Sequence, residues 1–126
     1  MSQKFPIPVF KHPIIETHCH LDYLKGQALQ QVLDATQAVN IERILTIAVS
    51  PDNLQTVMQL AQSHSQVWGT QGVHPHDAKD YTAETDAQIR ANASHDKILA
   101  IGEIGLDYHY DHSDRAVQRK VFEQQL

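Results

Sequence analysis

Four times along this chain a short apolar run gives way to a longer segment whose apolar residues recur at helical spacing, and few folds accommodate that rhythm. The runs are Pro13 to His18, Arg43 to Val49, Val67 to Val73 and Lys97 to Ile101. Ala28, Leu29, Val32, Leu33 and Thr36 follow the first at helix spacing, and Leu54, Val57, Met58 and Ala61 follow the second. Before that second helix, Ser50-Pro51-Asp52 offers an N-cap, a first-turn proline and a first-turn acid. A weaker helical pattern lies between Thr82 and Ala93, and Ser113 or Asp114 caps a last helix with Val117, Val121, Phe122 and Leu126 on one face. Strands alternating with helices predict an α/β fold with a parallel sheet of right-handed βαβ units.

Two architectures compete for four such units. An open sheet of the flavodoxin type usually carries five strands. A (β/α)8 barrel runs to about 250 residues, and 126 residues is half of that. The final helical pattern reaches Leu126 without a glycine stop. The expectation is therefore a single incomplete domain, residues 1–126, forming the N-terminal half of a TIM barrel cut after its fourth βα unit. Half a barrel has open strand edges and leaves inward-facing positions such as Ile14, Ile44 and Ile101 without an opposite layer, so self-association is expected.

Composition narrows the function classes. Ten Lys and Arg stand against fifteen Asp and Glu, a net charge of −5, which argues against a basic nucleic-acid-binding stripe. A phosphate substrate held through bound cations stays open. No run reaches the eighteen or so apolar residues of a membrane span, and Met1 to Lys11 lacks the apolar core of an export signal. The single cysteine, Cys19, fits a reducing compartment, so a cytoplasmic location is expected.

Nine histidines are the unusual count, and their placement points to chemistry. In Glu16-Thr17-His18-Cys19-His20-Leu21-Asp22, strand alternation puts Glu16, His18 and His20 on one face and Thr17 and Cys19 on the other. Two imidazoles at a strand's C-terminal end can tilt onto one metal ion, and Glu16 can accept the second ring N–H of a ligating histidine. The same spacing also suits two half-buried histidines bonded to backbone. Gly72-Val73-His74-Pro75-His76 repeats the arrangement at the end of the third run. Either histidine there can bind metal, contact a phosphate or act as an acid, and His76 can equally be a solvent-facing turn residue. In Ala100 to Tyr108, Glu103 sits between glycines at a strand end, where two carboxylate oxygens can bridge two cations. Asp107 is a second carboxylate there, or a loop anchor. His12, His64, His95, His109 and His112 read mostly as surface residues.

Taken together and in this order, the three segments resemble the TatD family of metal-dependent hydrolases, a TIM-barrel branch of the amidohydrolase superfamily that includes DNases. The stretch from Arg115 through Gln118, Phe122 and Gln125-Leu126 also resembles that family's helix after the third motif. The resemblance implies two divalent metal ions (Mg, Mn or Zn), with His18 and His20 binding the first and Glu103 bridging both. It implies a catalytic role for Glu103 and a catalytic or substrate-contacting role for His74. Apart from the resemblance, a substrate contact is expected of His76, and Glu16 and Asp22 are expected behind the ligands. Glu16 stands where the family more often has aspartate. The family completes its site with two histidines and an aspartate from later strands, which this chain does not contain. The expected activity is hydrolysis of DNA or another phosphodiester by metal-activated water. The alternatives are an ester or amide hydrolase on the same barrel, or a catalytically incomplete remnant that binds metal.

Overall fold

The computed structural model describes residues 6–126, so part of the Met1 to Lys11 reading lies outside it. Strand β1 spans Ile14–Cys19, helix α1 Gln27–Ala38, β2 Ile41–Thr46, α2 Leu54–Ser63 and β3 Val67–Gln71. They are followed by α3, Ala83–Ala93, β4, Ile98–Ile101, and α4, Arg115–Gln125. Short 3-10 turns occupy Leu21–Tyr23 and Pro75–Asp80. All three strand pairings are parallel and the order is β1-β2-β3-β4. Strictly sequential order is that of a barrel wall. A flavodoxin-type sheet would reverse direction at a switch point.

The helices cover one sheet face. Leu33 of α1 packs with Leu21, Ile44 and Val67, while Leu54 and Val57 of α2 pack with Ala48, Val73 and Ile89. This layer corrects one expectation: Ile44 points at the helices, and Ile101 shares a cleft with Ile89 and Gln125. The residues on the opposite face are Ile15, Thr17, Arg43, Leu45, Trp68 and Leu99. There Lys97 and Arg43 lie 4.1 and 5.3 Å from the Trp68 ring.

Two boundaries and one helix face depart from the sequence reading for local reasons. Strand β2 stops at Thr46, because residues 47–49 leave the ladder to bond the ends of the other strands. Helix α2 begins after Asn53 rather than Ser50. The Asn53 side chain accepts the Val49 and Ser50 N–H groups at 3.0 and 3.1 Å, folding Pro51 and Asp52 into a turn ahead of the helix. In α4, Asp114 is the N-cap, but the buried residues are Gln118, Val121 and Gln125, while Val117 and Leu126 are exposed. This helix packs against loop backbone, which needs hydrogen-bonding partners as well as apolar cover.

Candidate metal centre

The C-terminal ends of β1, β3 and β4 converge on an open cleft of about 400 Å³ lined by His18, His20, Tyr23, His74, His76 and Glu103, with Val49 and Asp77. His18, His20 and Glu103 each offer a ligand atom, all within 4.8 Å of one another. The His18 Nε2 to Glu103 Oε2 distance is 3.5 Å. Two ligands bound about 2.1 Å from one tetrahedral cation are separated by roughly 3.4 Å. Two nitrogens and a carboxylate oxygen therefore fit a divalent metal in both chemistry and spacing.

The local fold sets the ring orientations. His20 Nδ1 lies 3.3 Å from the Ile47 carbonyl. A carbonyl can only accept, so Nδ1 carries the proton and Nε2 keeps a lone pair for metal. Glu16 was expected in that orienting role, and the structure places it elsewhere. A register shift between Glu16 and Cys19 breaks the strand alternation, and Glu16 Oε1 accepts the His18 backbone N–H at 2.9 Å. Asp22 bonds neither ring. Its Oδ2 accepts from Asn53 Nδ2 at 3.1 Å, while Oδ1 is buried without a partner. Cys19 packs toward the Leu21, Leu33, Ile44 and Val67 cluster. Burial, reinforced by the Glu16 and Asp22 charges, pushes its thiol up to about 11.

His74 faces the same carboxylate from the other side. Its Nδ1 accepts the His76 backbone N–H at 3.1 Å, which leaves the proton of the neutral ring on Nε2, 3.6 Å from Glu103 Oε1. Burial lowers the His74 pKa, opposed by the Glu103 charge. His76 is not a bare turn residue. Its Nε2 pairs with Asp107 Oδ2, and its ring meets His112 edge-on at 4.5 Å. Asp107 also anchors its loop, accepting the His109 and Tyr110 amides at 2.9 and 3.2 Å. Burial alone would raise the Asp107 carboxyl, but the hydrogen bonds from His76, Tyr110 and His109 outweigh it and hold it below its ordinary value.

Three consecutive carbonyls, none singled out by sequence, assemble the site. Ile47 O serves the His20 ring, Ala48 O accepts Glu103 N–H at 2.8 Å, and Val49 O accepts His74 N–H at 2.7 Å. Beside them Thr70 Oγ1 accepts Ala48 N–H and donates to Gly102 O at 2.6 Å. Gly72 is needed for a close approach, since a Cβ there would lie 2.6 Å from the Gly102 carbonyl carbon. From α4, the Gln125 side chain bonds both Val73 N and Val73 O, at 2.7 and 3.2 Å, just ahead of His74. Gln118 does the same for Asp107, at 2.8 and 3.0 Å. Their nearest sequence signal was an amide every seven residues inside a helix, which propensity reads as surface.

A parallel sheet in this sequential order, with histidines and a carboxylate that could hold a metal ion gathered at its C-terminal edge, is the wall of a βα barrel. The family model described as TatD related DNase matches residues 15–126, and the chain belongs to that family. It is 33% identical over 114 residues to a Bacillus subtilis protein named as the uncharacterized metal-dependent hydrolase YabD, covering 90% of this chain and 45% of that protein. It is 37% identical over 89 residues to the Enterobacter lignolyticus 3'-5' ssDNA/RNA exonuclease TatD, covering 71% of this chain and 34% of that protein. The chain thus spans less than half the length of these curated relatives. Among solved structures, the Escherichia coli TatD homologue YJJV superposes with a TM-score of 0.74 at 24% identity, covering 89% of this chain and 44% of that one. An uncharacterized amidohydrolase from Saccharomyces cerevisiae superposes with a TM-score of 0.70 at 19% identity, covering 90% and 43%. These two likenesses establish the fold.

Proposed function

We propose that this chain carries the first part of the active site of a metal-dependent phosphodiesterase acting on DNA or RNA. The observation that supports it most is the convergence of His18, His20 and Glu103 donor atoms within 4.8 Å at the C-terminal end of a parallel sheet. These three residues would hold one divalent cation, and Glu103 would also help to hold a second. Bound there, a cation supplies positive charge against the phosphate and acidifies water near neutral pH. Such local charge reconciles a net charge of −5 with an anionic polymer.

The residues then divide the remaining work. The Ile47 carbonyl holds the His20 ring with its lone pair toward the cleft. His74 presents an N–H beside Glu103, placed to donate to a non-bridging phosphate oxygen. The Asp107 carboxylate holds the His76 ring next to it, where the imidazole can contact the substrate. Glu16 and Asp22 brace backbone and loop around the ligands.

The test is hydrolysis of a single-stranded oligonucleotide by the purified protein with Mg2+, Mn2+ or Zn2+, alongside an aryl ester. Metal binding is expected, with metal-dependent cleavage of the strand that is slow, because only the first part of the proposed site is present, and that chelator and Glu103→Ala abolish. Turnover of the ester alone would overturn the phosphodiester assignment, and tight metal binding with no turnover of either would make the chain a binding remnant.

A further inference from the structure

Two exposed tyrosines flank the cleft, and each is stacked or edged against one of its histidines. The Tyr23 ring lies nearly parallel to His20, with centroids 5.3 Å apart and planes 25° apart, and the residue is 72% exposed. On the opposite flank, Tyr110 is 65% exposed and meets His76 edge-on at 5.7 Å. It also lies parallel to His112, 5.8 Å away with planes 15° apart. That spacing is too close for a ring to enter between them, so a base would meet Tyr110 from its solvent-exposed side. Neither tyrosine hangs on a free loop. Tyr23 N–H bonds the His20 carbonyl at 3.3 Å, and Tyr110 N–H bonds Asp107. His109 and His112, read from sequence as surface residues, belong to this aromatic group: His109 meets Tyr110 edge-on at 4.6 Å.

Scattered exposed aromatics need no explanation. Here the backbone of both tyrosines is hydrogen-bonded beside the cleft, both rings meet histidines of that cleft, and both side chains are mostly open to solvent. Bases of an unpaired strand stack on such rings at about 1–3 kcal/mol each, regardless of sequence. A base inside a duplex already has stacking partners and would have to surrender them. Cations lie near the Tyr110 side as well. Lys79 Nζ bonds the His112 carbonyl at 3.2 Å, and Arg119 bonds the Tyr108 hydroxyl at 3.1 Å. Arg115, over the Tyr108 ring, is neutralised by Asp111.

We propose that Tyr23 and Tyr110 are nucleobase-stacking platforms on the two flanks of the site, so that it accepts unpaired DNA or RNA with bases splayed to either side of the phosphate being cut. This rests on the phosphodiesterase reading above and adds how the strand is gripped. The experiment measures binding by fluorescence anisotropy in saturating Mn2+ with phosphorothioate strands that resist cleavage, at one salt concentration, for a short thymidylate, a uridylate, an abasic strand of equal length and a hairpin duplex. Both base-bearing strands bind more tightly than the abasic one and the duplex. Tyr23→Ala and Tyr110→Ala each weaken thymidylate binding about 5- to 150-fold, the conversion of the stacking energy above. The matching Phe variants, which keep the ring, stay near wild type. Because both side chains are mostly solvent-exposed, the Ala variants keep their far-ultraviolet dichroism and their affinity for Mn2+. Equal affinity for thymidylate and abasic strands, no weakening in either Ala variant, tighter duplex binding, or no binding at all would each overturn the platforms. Cleavage of an unmodified abasic strand with Mn2+ tests the phosphodiesterase reading separately, since it offers phosphodiesters without bases. Cleavage of that strand without base-dependent binding sinks only the platforms. Base-dependent binding without cleavage sinks only the chemistry.

Discussion

His76 and Asp107 show how a pair of residues can serve a site and hold a loop at once. The Asp107 carboxylate takes up the His76 ring and two backbone amides, and these bonds keep it ionised below its ordinary range. A carboxyl depressed by folding contributes stability above its unfolded pKa of about 3.9, and that contribution fades as pH falls through the lower folded value. Asp107→Asn is therefore expected to flatten the acid limb of the stability curve between neutral pH and about pH 2, while wild type loses stability there. Thermal unfolding across that range checks it, and superimposable acid limbs would refute the assignment. At this scale the sequence was legible wherever chemistry and strand alternation coincide. His18, His20, His74 and Glu103 all stand out as reactive types at strand ends, and the fold gathers them. Glu16 escaped because a register shift in β1 turns its side chain to a backbone amide, and no pattern in the sequence announces that irregularity.

Helix α4 shows the limit of reading elements by their apolar positions. Its sequence offers Val117, Val121, Phe122 and Leu126 as a face, yet the buried side of the helix is built around Gln118 and Gln125. Each amide satisfies both an N–H and a C=O of a loop residue, Asp107 in one case and Val73 in the other. Replacing Gln125 with Leu keeps the volume but leaves two buried backbone groups unpaired, at a cost of about 1–3 kcal/mol each. Urea unfolding should show that loss, and Gln125→Glu should recover part of it because the Val73 N–H keeps its acceptor. An unchanged midpoint for Gln125→Leu would mean that water replaces the amide. The helices whose apolar stripes pack on the sheet, α1 and α2, follow their periodicity closely, apart from the turn that Asn53 imposes ahead of α2.

Across the whole molecule, the parallel sheet in sequential order carries one helix-covered face and one face bearing Ile15, Arg43, Leu45, Trp68 and Leu99. Which face would be which is not given by alternation alone: shifting parity by one residue exchanges them, as the placement of Ile44 illustrates. Among the described residues, no helix is long and apolar enough to cross a membrane. A cation that binds only the folded chain should stabilise the whole of it, by about 2.7 kcal/mol at a hundred times its dissociation constant. Adding Mn2+ or Zn2+ is expected to raise Tm, EDTA to reverse the rise, and His20→Ala to abolish it. A rise that persists in both His20→Ala and Glu103→Ala would locate the cation elsewhere.

The run Ile47 to Val49 does its work with carbonyl oxygens, one for the His20 ring, one for the Glu103 amide and one for the His74 amide. A device of this kind is sensitive to spacing. Deleting or inserting one residue between Thr46 and Asn53 would hand each oxygen to its neighbour's partner and turn alternate ones away from the cleft. Chains descended from a common ancestor with this one can exchange side chains along that run within the limits of packing, but the distance from strand to helix is counted out in whole residues, and a miscount dismantles all three attachments together.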